Sequence, residues 1–280
     1  MPAEDPQWFR IAETDEQVFA IEETEHVQSY LINGRRRSAL IDTGMGLQNI
    51  RTAIGPLLRH EVLALNTHGH FDHIGGNALF ACVGISELEK DAIQKDLPND
   101  LLVAKYVKPF MEKGVPFPRD FKPAQYKIEG TPAAFIIREG DRFDLGGRTL
   151  ETIHTPGHTH GSMSFLEPQT RSLFCGDFAY DGTIYAHLAD SDVDEYIDSL
   201  HKLLRRAGEF DRLYPGHNQY PVGKELLSRL LQAFERLRQG DVTPKRIDDW
   251  GDPVFAYEYE GLRILTKMPG TRGIALFEGA

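Results

Sequence analysis

The chain has 280 residues, 41% of them hydrophobic, and a formal net charge of −11 at pH 7. That apolar content suffices for a large core, and a single soluble domain spanning 1–280 is expected. The acidic balance, with no basic run longer than Arg35-Arg36-Arg37, disfavours nucleic acid and other polyanions as partners.

The opening Met1-Pro2-Ala3-Glu4-Asp5-Pro6 lacks both the basic and the apolar region of an export signal, and no uninterrupted apolar segment is long enough to span a bilayer. A cytoplasmic protein with no membrane partner is expected, and a homodimer is compatible with the sequence. Cys82 and Cys175 are the two cysteines, so no disulfide framework is implied. Three short β-like runs follow, Val18-Phe19-Ala20-Ile21, Ser29-Tyr30-Leu31-Ile32 and Ser38-Ala39-Leu40-Ile41, with turn chemistry at Asn33-Gly34.

A fourth apolar run, Val62-Leu63-Ala64-Leu65, leads into Thr67-His68-Gly69-His70-Phe71-Asp72-His73. Closely spaced imidazoles and a carboxylate on a loop at a strand end can converge on one cation, and this donor set suits zinc, iron or manganese better than calcium. Asp42, at the end of the third run, is expected to be a buried carboxylate that accepts backbone hydrogen bonds or orients one of these histidines.

From 84 to 132 charged residues alternate with Val103, Tyr106, Val107, Phe110 and Met111, followed by Pro116, Pro118 and Pro123. This reads as a helical and loop insertion. It either overhangs the cluster, with Phe110, Met111 and Phe117 as candidate wall residues, or packs as a helical pair.

The strand-end device then recurs three times. Leu150-Glu151-Thr152-Ile153 precedes Thr155-Pro156-Gly157-His158; Ser172-Leu173-Phe174-Cys175-Gly176 precedes Asp177; and Leu213-Tyr214-Pro215-Gly216 precedes His217. Loops on one rim of a layered sheet are where such folds place chemistry. Cys175 could face the same side as Asp177, but a buried core thiol is the favoured reading. His160 is left outside the ligand set, His154 is placed under the loop, and His187 is a weaker pocket candidate. Apolar stripes predict a helix over 192–208, ending at Gly208, and a second from Leu226 to Leu237 before Gly240.

The pattern HxHxDH at 68–73, followed by His158, Asp177 and His217 in that order, resembles the metallo-β-lactamase superfamily, from about Val18 to Tyr220. The resemblance implies an α+β fold, a four-layer αββα sandwich, with two divalent metal ions, zinc first and iron or manganese as alternatives. It also implies that His68, His70 and His158 hold one metal, that Asp72, His73 and His217 hold the other, and that Asp177 bridges them. A hydroxide shared by the two metals would attack a carbonyl, with Asp72 orienting it. The expected substrate is a small acyl compound, a thioester or lactone. The lactonase, glyoxalase II and acyl-CoA thioesterase branches are the nearest in pattern. β-Lactam hydrolysis and iron-dependent oxygen or sulfur chemistry on the same fold are the alternatives. Tyr180, in Asp177-Phe178-Ala179-Tyr180, resembles a lactonase tyrosine that contacts the substrate carbonyl; the other reading is a buried tyrosine whose hydroxyl meets a backbone carbonyl.

Overall fold

Strand alternation organises this fold. The computed structural model describes residues 8–241, 243–249 and 252–267; the Met1 to Pro6 stretch, read above for targeting, lies outside them. One sheet contains β1 (Phe9–Asp15), β2 (Val18–Glu23), β3 (Val27–Asn33), β4 (Ser38–Ile41), β5 (Val62–Leu65), β6 (Val83–Ser86) and β7 (Phe135–Ile137), in that spatial order. β1 to β4 pair antiparallel, whereas β4 to β7 run parallel. Parallel neighbours need crossovers. These carry α1 (Ile50–Ile54), α2 (Phe71–Ile74), α3 (Lys90–Ile93), α4 (Asn99–Leu102), a π-helical turn at Val103–Val107, and α5 (Lys108–Glu112).

The second sheet takes β8 (Arg142–Asp144), β9 (Thr149–His154), β10 (Met163–Glu167) and β11 (Ser172–Gly176). After β12 (Thr183–Ala186) departs to a third sheet, β13 (Arg212–Pro215) and β14 (Val222–Gly223) complete it. Two longer helices, α6 (Val193–Arg205) and α7 (Glu225–Gln239), flank β13 in the chain. Asp192 caps α6 by accepting from the backbone N–H groups of Asp194 and Glu195, and Tyr196, Ile197, Leu200 and Leu203 form its buried face.

Three apolar interfaces result. Ile21, Leu31, Leu40 and Ala64 point from the first sheet toward Ile50, Ile54, Phe71 and Ile93 of the short helices. Their sequence neighbours Ala20, Tyr30, Ile32, Ala39, Ile41 and Leu65 point the other way, onto Leu150, Phe165, Phe174 and Tyr214 of the second sheet. That sheet's opposite face, with Ile153, Leu166, Leu173 and Leu213, packs on α6 and α7. The layers are therefore helix, sheet, sheet, helix, an α+β architecture. A one-residue slip in β3 would exchange Leu31 for Tyr30 and Ile32 across the sheet, so burial on both faces fixes the register.

Two features depart from the sequence reading. The stretch expected as an insertion from Gly84 opens with β6, paired in parallel with β5 and β7, so its helical part begins only at Lys90. The C-terminal segment, for which the sequence suggested no element, forms a third sheet of β15 (Lys245–Asp249), β16 (Asp252–Tyr259) and β17 (Leu262–Thr266), with β17 parallel to β12. Its outward charges hide the alternating Val254, Ala256, Leu262 and Ile264, all of which are buried. Among the described residues no helix is long and apolar enough to cross a membrane.

Glu23 ends β2 inside the first interface, where it accepts from the Met45 backbone N–H at 2.8 Å and from the Trp8 indole at 3.2 Å. Burial pushes its carboxyl up to about 7. A raised carboxyl pKa means that folding takes up a proton between about pH 4.5 and 7, so this contribution is lost as pH rises through that window. Between pH 5 and 8 the native protein should lose about 3 kcal/mol more stability than Glu23→Gln. Parallel denaturation curves across this range would show that another group controls the dependence.

Candidate metal centre

The second sheet aligns three loop exits. β9 and β11 are both antiparallel to β10, and β13 is parallel to β11, so β9, β11 and β13 all end at the same edge. His158, Asp177 and His217 follow those ends, and the loop after β5 brings His68, His70, Asp72 and His73 to meet them. The donor atoms fall into two groups, His68 with His70 and His158, and Asp72 with His73, Asp177 and His217; within each group they lie within 4.8 Å of one another.

In the first group His70 Nδ1 lies 3.0 Å from His68 Nε2 and 2.9 Å from His158 Nε2. The outer nitrogens of the latter two are occupied. His158 Nδ1 donates to the Tyr185 carbonyl at 3.0 Å, and His68 Nδ1 donates to Thr67 Oγ1 at 3.0 Å, whose own proton goes to Asp42 Oδ2 at 2.8 Å. With Nδ1 protonated, each Nε2 presents a lone pair to the centre. Lone pairs converging without a proton fit a cation.

In the second group imidazoles and carboxylates converge. His217 Nε2 is 3.2 Å from both Asp72 Oδ2 and Asp177 Oδ2, and its Nδ1 donates to the His26 carbonyl at 2.8 Å. His73 Nδ1 is held by Asp42 Oδ2 at 2.9 Å. Its Nε2 faces Asp177 Oδ1 at 3.1 Å, yet both atoms are buried without a hydrogen-bond partner, as donors aimed at a shared cation would be. Asp177 Oδ2 also approaches His158 Nε2 at 3.6 Å, so this carboxylate lies between the groups. Asp42, held at a φ of 58°, thus orients one histidine directly and another through Thr67.

Glu89 joins the two histidine loops, and no sequence motif marks it. Its Oε2 accepts from the Gly69 N–H at 3.1 Å, and its Oε1 accepts from Thr159 Oγ1 at 2.6 Å and from the Gly161 N–H at 3.1 Å. A Cβ on Gly69 would lie 2.8 Å from Glu89 Oε2, and one on Gly161 would lie 2.5 Å from its Cγ. The glycines beside His68, His70 and His160 were therefore the one available sign of a buried side chain crossing there.

A cavity of about 460 Å³ opens over the groups, walled by Phe71, Tyr106, Phe110, Tyr180 and Tyr185 among others. Of the wall residues expected from the insertion, Phe110 lines it. Phe117 instead packs its edge against the ring of His26, and Met111 is 48% exposed. Tyr180 lines the cavity with its ring 5.8 Å from that of His217, but its hydroxyl donates to the Thr183 carbonyl at 2.6 Å. Of the two readings of Tyr180, this hydrogen bond matches the hydroxyl that meets a backbone carbonyl, here three residues on. Cys175 is buried in the helix-facing core, where burial pushes its thiol up to about 12. His160 turns outward to Glu195 at 2.7 Å, His154 donates to the His160 carbonyl at 2.8 Å, and His187 reaches the cavity wall.

The two groups differ electrostatically. Burial, reinforced by neighbouring imidazoles, lowers His68 well below the ordinary histidine range and His158 to about 4. Burial also opposes charge on His73 and His217, but Asp177 and Asp72 outweigh it and raise both. Near neutrality the second group therefore holds protons where a cation would go, and cation uptake must expel them. Calorimetric titration in buffers of different ionisation heat should show roughly two protons released per cation at this group, with affinity rising with pH. Buffer-independent heats at pH 7 would contradict this.

Comparison with known proteins agrees with the geometry. The chain is 27% identical to acyl-coenzyme A thioesterase MBLAC2 of Homo sapiens over 247 residues, covering 81% of this chain and 87% of that one. It is 26% identical to hydroxyacylglutathione hydrolase GloC of Haemophilus influenzae over 204 residues, covering 70% and 88%. A solved metallo-beta-lactamase from Pontibacter korlensis superposes with a TM-score of 0.58 at 20% identity, covering 81% of this chain and 99% of that one, which speaks to the fold. The sequence pattern of one family matches residues 24–217, a span that takes in every member of both donor groups, and the chain belongs to the metallo-beta-lactamase superfamily.

Proposed function

We propose that the chain is a dinuclear metal-dependent hydrolase of small acyl compounds, thioesters first and lactones second. The observation that carries this reading is the pair of adjoining donor groups with Asp177 between them, open to a cavity. His68, His70 and His158 would hold one cation and Asp72, His73 and His217 the other, with zinc our assignment from the imidazole and carboxylate donors. Two such cations would supply Lewis acidity at the scissile carbonyl and acidify a water to near neutrality.

The chain's own residues do the rest. Asp72 Oδ2, 3.2 Å from His217 Nε2, is partly exposed to the cavity and is placed to orient the attacking water and accept its proton. Phe71, Tyr106 and Phe110 give the acyl group an apolar wall and keep bulk water from it. Among the described residues lining the cavity there is no serine or cysteine to act as a nucleophile, which favours direct attack by water. The names of the relatives, one an acyl-CoA thioesterase and one a hydroxyacylglutathione hydrolase, favour thioesters within the acyl class.

Metal analysis of protein purified without added metal, paired with a thioester, lactone and β-lactam panel, tests this reading. About two zinc ions per chain with thioester or lactone turnover is the expected result. A single iron accompanied by oxygen consumption would overturn it.

A further inference from the structure

The cavity has a second cluster of polar residues besides the donor groups. It is built by the segment Thr183 to Leu188, which contains β12, and by Asp249 at the end of β15. His187 is 1% exposed, and its Nε2 lies 3.1 Å from Asp249 Oδ2. With His187 neutral and its Nε2 proton turned to Asp249 Oδ2, Nδ1 is left as a lone pair. That Nδ1 is buried with no hydrogen-bond partner, an arrangement that is unfavourable until a donor arrives.

The rest of the wall has the same sign. Asp72 and Asp177 belong to the donor groups, but Glu25, Asp181 and Asp249 also line the cavity, and among the described lining residues there is no lysine or arginine. Arg229 reaches Asp181 only at 4.0 Å and with 40% of its side chain exposed, so water screens that pair. A carboxylate or phosphate brought here would lose hydration and meet like charge, whereas an N–H or O–H donor would satisfy Nδ1.

We propose that His187 and Asp249 form a specificity pole for a hydrogen-bond-donating group of the substrate, an amide, hydroxyl or ammonium, and that substrates carrying an anionic group at this position are rejected. The proposal rests on the acyl-hydrolase reading for its substrate and adds to it the polarity of the part remote from the scissile bond. It also gives the third sheet a role in selectivity, since β15 carries Asp249 to the cavity and β17 braces β12 by parallel pairing.

The test compares two acetyl thioesters with the same two-carbon reach, those of N-acetylcysteamine and of 3-mercaptopropionate, on the metal-loaded enzyme. The amide-bearing thioester should exceed the carboxylate-bearing one at least tenfold in kcat/KM, a ratio that should shrink to about threefold in Asp249→Asn. Because the change in this ratio between the two enzymes cancels intrinsic reactivity and any general loss of activity, a merely structural Asp249 would leave the ratio unchanged. The order in the native enzyme needs no variant. Equal or faster hydrolysis of the carboxylate thioester, or a ratio unmoved in Asp249→Asn, overturns the pole. Binding of the matching S-methyl thioethers, followed by ligand-observed NMR, requires no turnover. If neither thioester is hydrolysed, the acyl-hydrolase reading fails on its own, while preferential binding of the amide thioether still supports the pole and its absence refutes it.

Discussion

His70→Ala is expected to empty the first donor group and to reduce turnover by about three orders of magnitude or more. The expectation follows from where its Nδ1 stands, 3.0 Å from His68 Nε2 and 2.9 Å from His158 Nε2, as the common neighbour of both. Removing it leaves two donors, too few to hold a cation against water. The fold should survive, because His70 stands at the start of α2 without a side-chain capping bond and its backbone still accepts from the His73 N–H at 3.0 Å. Metal stoichiometry, turnover and the melting temperature of the metal-free protein measure the three consequences separately. Full occupancy in the variant would show that the group does not bind as assigned.

Glu89→Ala is expected to weaken metal affinity by about 10- to 100-fold while leaving every donor residue in place. The carboxylate accepts from Gly69, Thr159 and Gly161, which flank His68, His70 and His158 in two loops far apart in the chain. Without it, three donors lose their acceptor in a buried place, at a cost of about 3 kcal/mol once water partly substitutes. The loops would then separate by fractions of an ångström, enough to disturb a coordination sphere. Glu89→Gln keeps one acceptor oxygen and should fall between the two. Competition with a chromophoric chelator reads the affinity, and chemical denaturation of metal-free protein reads the stability. An unchanged affinity on a destabilised fold would reduce Glu89 to a packing role.

How much of this was legible in the sequence depends on what kind of signal each part leaves. The four strand-end loops were legible because each follows an apolar run and carries its polar residues immediately after it, and the antiparallel and parallel pairings of β9, β10, β11 and β13 bring three of those ends to one edge. The helix predicted over 192–208 is α6, Val193–Arg205, whose apolar spacing is that of a one-sided helix packed on a sheet. Asp42 could be read as an orienting carboxylate because it closes an apolar run. Glu89 could not, since it stands in Glu87-Leu88-Glu89-Lys90-Asp91, where each acid resembles a solvated one. For Tyr180 the sequence left two directions for the hydroxyl open. A turn that places the Thr183 carbonyl 2.6 Å away is a matter of backbone path, and nothing in Asp177-Phe178-Ala179-Tyr180 encodes it. Phe110 and Phe117 looked alike as wall candidates; the stacking of Phe110 on Tyr106 and of Phe117 on Phe121 separates the one that faces the cavity from the one behind it.

The parallel pairing of β12 with β17 has a further implication for how such a protein can diversify. The donor residues all fall between 68 and 217, whereas Asp249 and the strand that braces β12 come from 245–266, beyond the family match at 24–217. One half of the proposed pole, Asp249, is therefore written in a stretch of the gene separate from the donors, while His187 lies among them. Mutation or recombination confined to the last stretch can remodel the rim of the cavity while the chemistry beneath it is inherited intact.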